Sequence, residues 1–174
     1  MPGRVVSADV LADICWRKVP WLIPKILFLV KSLFLDVHYL SVREDELHSL
    51  LKAWRQNILP KLRYRYDYWD CDDYARYFVA WFNLVSKTNA GGETYGVVKV
   101  RRMNGAMRRW ESYGHSWVGV LVDFGYDVDV VFVEPQLGEI VETEREFEPE
   151  YPIKLAKGHT IGATMKYVPE FYRF

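Results

Sequence analysis

The run Tyr68-Trp69-Asp70-Cys71-Asp72-Asp73-Tyr74 reads as the opening of a helix with a cysteine in its first turn. Asp70 is a good N-cap residue, and Asp73, three positions on, is spaced to reach back to the same turn. Beyond it, Tyr74, Tyr77, Phe78, Trp81, Phe82 and Val85 recur at i, i+3, i+4, i+7, i+8 and i+11. That is the apolar stripe of a helix with one buried face. The spacing predicts a helix from Cys71 to about Lys87, ended by Asn89-Ala90-Gly91-Gly92. A thiol at such a position meets amide N–H groups without intrahelical partners and the positive end of the helix dipole, both of which favour the thiolate. The carboxylates of Asp72 and Asp73 act the other way, so a strongly activated Cys71 needs a cationic or metal partner.

On the N-terminal side the sequence reads helical. Ser7 caps a short predicted helix to about Arg17, and a second follows Pro24 to about Phe34. Ser41-Val42-Arg43-Glu44 has the form of a capping box, opening a third helix with Leu47, Leu50, Leu51, Trp54 and Ile58 inward and Pro60 stopping it. On the C-terminal side the period changes to two. Val97–Met103 and Ala106–Tyr113 flank Asn104-Gly105, a strong hairpin signal. His115–Asp123 continues as an apolar strand after a bulge or bend at Gly114, and Val128–Glu134 returns after the turn Phe124–Asp127. Weaker strands are predicted over Gly138–Val141, Ile153–Ala156 and Thr164–Val168. Helices first and a strand meander after predict an α+β fold. No repeat or domain boundary is evident, so 1–174 reads as a single domain: a helical part over about 1–60, a core over about 61–142, and C-terminal strands over 143–174.

Composition narrows the function classes. The chain has 174 residues, half of them apolar and 16% aromatic, enough for one core and against disorder. Lys plus Arg equals Asp plus Glu at 23 each, so no global attraction to nucleic acid or to an anionic membrane is expected. The most apolar stretch, Val19–Val37, carries Pro20, Pro24, Lys25, Lys31 and Asp36, too many charges for a membrane span. No secretory leader is evident, which predicts a cytoplasmic, soluble protein. Cys15 and Cys71 then read as two free thiols rather than a disulfide framework.

The register of the last hairpin brings the remaining chemistry together. If the four residues Phe124–Asp127 close it, Asp123 pairs with Val128, Gly119 with Phe132 and Trp117 with Glu134, leaving His115 a diagonal neighbour of Glu134 on one face. A loop of Phe124 and Gly125 alone would put His115 directly opposite Glu134. Either register brings the carboxylate within reach of one imidazole nitrogen. The chain thus supplies a helix-end thiol, a strand histidine and a carboxylate on the next strand, the parts of a nucleophile–base–orienter triad. The Cys71 N–H is one oxyanion donor, and Gln136, two residues beyond Glu134 in an extended chain, is a candidate for the second.

The run Cys71-Asp72-Asp73-Tyr74-Ala75, then Gly114-His115-Ser116-Trp117, then Glu134-Pro135-Gln136 resembles the papain-like cysteine-protease domain at the C-terminus of the fungal chimerolectin agglutinins. More loosely it is similar to bacterial transglutaminase-like cysteine peptidases, which share the order helix cysteine, strand histidine, strand acid. The resemblance covers about residues 60–142. It implies a papain-like or transglutaminase-like fold, a Cys71–His115–Glu134 triad with Gln136 beside it, and hydrolysis of a peptide or isopeptide bond in a peptide or protein substrate. It further implies calcium dependence, with Asp72 and Asp73 matching the acidic pair after the cysteine. The agglutinins' sugar-binding lectin repeat has no counterpart in this chain.

Blander readings stand beside these. Cys71 also fits a small buried core residue, and His115 a core histidine satisfied by Glu134. Asp72 and Asp73 equally fit first-turn acids that complement the dipole. Trp117 and Phe132 read as core, and Tyr68 and Trp69 as a cleft wall. Lys99, Arg101, Arg102, Arg108 and Arg109 make a basic hairpin, and Glu139, Glu142, Glu144, Glu146, Glu148 and Glu150 an acidic stretch that pairs with it within the fold or across a dimer. That hairpin carries the alternative function, a non-catalytic binding or assembly module on the same scaffold. His38, His48 and His159 lack metal-ligand spacing, and no phosphate loop or dinucleotide fingerprint is present, so no organic cofactor is expected.

Overall fold

The computed structural model describes residues 3–19, 36–65, 70–104, 107–143, 145–146, 153–154, 160–161 and 164–174. Strand β1 (Val5–Ser7) leads into helix α1 (Ala8–Lys18), which buries Leu11, Ile14 and Cys15. Strand β2 (His38–Leu40) returns antiparallel to β1. The helix predicted over 24–34 lies outside the described residues, as do Tyr68 and Trp69.

The capping box read at Ser41–Glu44 does not form. Ser41 is drawn into the β1–β2 edge instead: its N–H and its hydroxyl both donate to the Arg4 carbonyl at 2.9 Å. Val42–Arg43 becomes β3, which runs parallel to the end of β5. Helix α2 therefore starts at Glu44 and runs to Ala53, with three acids in its first turn complementing the dipole. It widens into a π-turn, Trp54–Ile58, and closes with a 3₁₀ turn, Leu59–Lys61. Leu47, Leu50, Leu51 and Trp54 face inward as the period predicts, while Ile58 is only partly buried.

Helix α3 spans Cys71–Ser86. Its end is set by Lys87, whose left-handed conformation (φ 57°) turns the chain while the N–H groups of Lys87 and Thr88 both donate to the Asn83 carbonyl. The Gly91-Gly92 pair read as the helix stop opens strand β4 (Gly91–Asn104) instead. Those glycines answer to packing: a Cβ on Gly92 would lie 2.6 Å from the Arg173 carbonyl oxygen.

Strand β5 (Met107–Asp123) pairs antiparallel with β4 from Asn104↔Met107 to Gly91↔Val120. The predicted hairpin is there, and the residues joining its arms, 105 and 106, fall outside the description. No break occurs at Gly114, which pairs with Val97 in unbroken register, so the two predicted strands are one. Strand β6 (Val128–Glu134) follows, in the register set by the four-residue loop: Asp123↔Val128, Leu121↔Val130, Gly119↔Phe132. The Phe124 N–H donates to the Asp127 carbonyl at 2.9 Å, and Gly125 supplies the positive φ that closes the loop.

Short strands β7 (Glu139–Val141), β8 (Ile153–Lys154) and β9 (Thr160–Ile161) precede β10 (Met165–Arg173), which is longer than predicted. The main sheet has the order β10-β4-β5-β6-β7, with β3 added on β5. Helix α3 packs against β4 and β5. The architecture is α+β, a mainly antiparallel sheet with helices packed on it. Among the described residues no helix is long and apolar enough to cross a membrane.

Candidate active site

The local chemistry at the start of α3 is what the sequence predicts. The Asp73 carboxylate accepts from the Asp70 N–H at 3.3 Å, and the Asp70 side chain accepts from the Asp73 N–H, a reciprocal capping box. Cys71 sits immediately inside it and is 7% exposed, near-buried but not sealed. The other thiol, Cys15, is wholly enclosed, and neither forms a disulfide.

His115 and Glu134 meet across the β5–β6 register. Nε2 of His115 lies 2.6 Å from Oε2 of Glu134, and both side chains are fully buried. A buried carboxylate is costly unless its lone pairs are satisfied. Glu134 has two further donors: the Gln136 N–H on Oε1 at 3.0 Å and the Tyr167 hydroxyl on Oε2 at 2.7 Å. Tyr167, on β10, also packs its ring against His115 at 5.8 Å and edge-on to Trp117 at 5.0 Å. Burial first, then the charge of Glu134, pushes its phenol well above its usual range, so it stays a donor.

The imidazole keeps a second nitrogen clear of the acid. With Nε2 taken by Glu134, Nδ1 is buried without a hydrogen-bond partner, and Cys71 lies near enough to the ring to raise its pKa. Burial alone would lower the imidazole pKa. The Glu134 charge, the contact with Cys71 and the hydrogen bond to Glu134 together outweigh it and raise the value to about 9. The ring is therefore cationic at neutral pH, bonded to a carboxylate and near a thiol.

Gln136 does not lie in an extended chain. Residues 135–138 form a turn in which the N–H groups of Leu137 and Gly138 donate to the Glu134 carbonyl at 3.1 and 2.8 Å. The Gln136 backbone orients the acid, a role the sequence reading did not assign it. The same turn is tied to the helical part of the chain by the Trp54 indole, which donates to the Pro135 carbonyl at 2.8 Å.

Asp72 and Asp73, the acidic pair expected to hold calcium, both lie against Arg76. Asp72 Oδ2 pairs with Arg76 at 2.7 Å, Asp73 Oδ1 lies 3.6 Å from the same guanidinium, and Glu93 approaches it at 3.6 Å. The ligand atoms that converge belong to Asp70, Cys71 and Asp72, within 4.8 Å of one another, and Asp73 is not among them. Hydrogen bonding with Asp72, then burial, then the Asp72 charge raise the Asp70 carboxyl to about 6. A hard cation takes six or more oxygens. Asp70 and Asp72, with the Cys71 sulfur beside them, supply part of such a set among the described residues.

The remaining predicted features fall into place around the site. Trp117 and Phe132 are core. Part of the basic hairpin meets the acidic stretch within the fold, Arg101 pairing with Glu146 at 3.0 Å and lying over the Trp110 ring. Tyr167 is the residue that the sequence reading missed. Its only signal was the weak strand around it, because the acid it touches is 33 positions away and on a strand it does not pair with.

No known family model matches this chain, and no curated protein matches it in sequence. Among solved structures it is similar to a PSL1a-E64 complex, 18% identical with a TM-score of 0.51, over 98% of this chain and 50% of that one. A Polyporus squamosus lectin bound to the human-type influenza-binding epitope Neu5Aca2-6Galb1-4GlcNAc is similar over 64% of this chain and 37% of that one, 22% identical, with a TM-score of 0.40. The chain thus spans about half the length of the first structure and shares its fold over that half.

Proposed function

We propose that the protein is a cysteine hydrolase of papain-like or transglutaminase-like type that opens a peptide or isopeptide bond through a thioester on Cys71. One observation supports this above the rest: a fully buried histidine held by Glu134 on Nε2, its second nitrogen buried without a partner and a helix-end thiol near enough to raise its pKa. A core histidine satisfied by an acid has no need of that third partner.

In the proposed cycle the thiol proton resides on His115, and the Cys71 sulfur attacks the substrate carbonyl carbon. The negative charge that develops on the carbonyl oxygen is met by the Cys71 N–H, with the Gln136 side chain as the proposed second donor. Collapse of the tetrahedral species breaks the C–N bond as His115 gives its proton to the departing amine. Water then attacks the thioester, losing a proton to His115 and restoring the thiol. Glu134 keeps the imidazole oriented and stabilises its cationic form throughout.

The test is covalent labelling mapped by mass spectrometry. Iodoacetamide at pH 5.5 should modify Cys71 and leave Cys15 untouched, and E64, present in the similar PSL1a structure, serves as a second probe. The Cys71→Ala variant should fold normally and take no label, since Ala is well tolerated in a helix. A Cys71 that reacts only above pH 8, like an ordinary thiol, would favour the binding-module reading. Repeating the labelling with EDTA and then with calcium tests the proposed calcium dependence: a rate that falls with EDTA and returns with calcium supports it, and an unchanged rate overturns it.

A further inference from the structure

We infer that Tyr167 is a fourth, positioning member of the site, whose hydroxyl holds the Glu134 carboxylate aimed at Nε2 of His115. The inference rests on the proposed triad and extends it to the last strand. Glu134 is wholly buried, and an ionised carboxylate there depends on its donors. Of the three, the Gln136 N–H holds Oε1, while His115 Nε2 and the Tyr167 hydroxyl share Oε2. The tyrosine is the one donor of the three with no part in the chemistry and no backbone obligation to the turn.

Its placement suits that task. Tyr167 pairs with Val98 of β4, and its backbone also bridges to Thr143. Strand β4 in turn holds Gly96 directly opposite His115. A Cβ on Gly96 would come within 2.2 Å of the Val168 carbonyl and 2.9 Å of the Trp117 ring. The bare glycine therefore lets β10 close against β4 beside His115, which brings the phenol to the acid. Neighbouring titratable groups facing Glu134 are His115 from β5 and Tyr167 from β10, with Cys71 of α3 beyond the imidazole.

Tyr167→Phe removes the hydroxyl and keeps the ring contacts. Loss of that donor frees the carboxylate to turn from Nε2 and weakens its support of the His115 cation, so the acid limb of Cys71 alkylation by iodoacetate should move up by about one pH unit or more. At pH 5 the rate should fall roughly tenfold, with the far-ultraviolet circular dichroism unchanged. In a Glu134→Gln background the same substitution should shift nothing, because its route of action is gone. An acid limb that stays put in Y167F, or that moves equally in both backgrounds, would overturn the inference and leave Tyr167 as packing. If Y167F fails to fold, E134Q and E134Q/Y167F are compared for stability: equal melting supports action through Glu134, and a further loss in the double variant refutes it. A wild-type Cys71 that alkylates as an ordinary thiol would instead sink the hydrolase reading itself.

Discussion

His115 shows how burial and charge compete at one side chain. Its imidazolium is taken from water, which disfavours it, yet the Glu134 carboxylate and the nearby Cys71 carry its pKa from 6.5 up to about 9. A value raised in the folded state means that the folded protein binds the proton more tightly than the unfolded chain. The resulting stability is fully present below about pH 6.5 and is lost as pH rises through about 9. Thermal melting should therefore fall between pH 7 and pH 9.5 in the wild type, and Glu134→Gln should flatten that slope. Three of the four residues at this centre were legible in the sequence, each from its own local sign: a cap for Cys71, a strand start for His115, a hairpin partner for Glu134. Tyr167 had no local sign, since a tyrosine on an alternating strand looks the same whether it fills core or holds an acid.

Helix α3 is fixed at both ends by short-range chemistry, and that is why its sequence reads so directly. The Asp70–Asp73 exchange opens it, and Lys87 closes it in a left-handed turn. Asp70→Ala should cost about 1 kcal/mol in urea unfolding, while Asp70→Asn keeps the cap and should lie close to the wild type. The β5–β6 register was legible for a similar reason, because a four-residue loop and an alternating apolar face leave two choices that agree on the His115 face. Ser41 shows the opposite case. Its pattern matches a cap, but the Arg4 carbonyl, 37 residues earlier, takes its hydroxyl first. Gly114 likewise suggested a bend where β4 pairs straight through.

The order β10-β4-β5-β6-β7 puts the end of the chain beside its middle. Nothing in the alternation of Met165–Arg173 says which edge it joins, so this part of the fold was beyond sequence reading. Its weight is considerable: Tyr167, Tyr172 and Phe174 are buried, and Phe174 packs edge-on to Tyr39 of β2. Deleting residues 164–174 would expose β4 as an open edge and empty the centre of the core. The truncated chain should lose cooperative melting, a stronger outcome than any single substitution at the site. Cys15 offers a different use of the same packing. Enclosed between α1 and the sheet, with burial holding its thiol protonated, it is unreachable until the molecule comes apart. A colorimetric disulfide-exchange reagent would then register one equivalent from the native protein, and the second only at the pace of global opening. The chain thus carries its own clock for unfolding, readable with no dye attached.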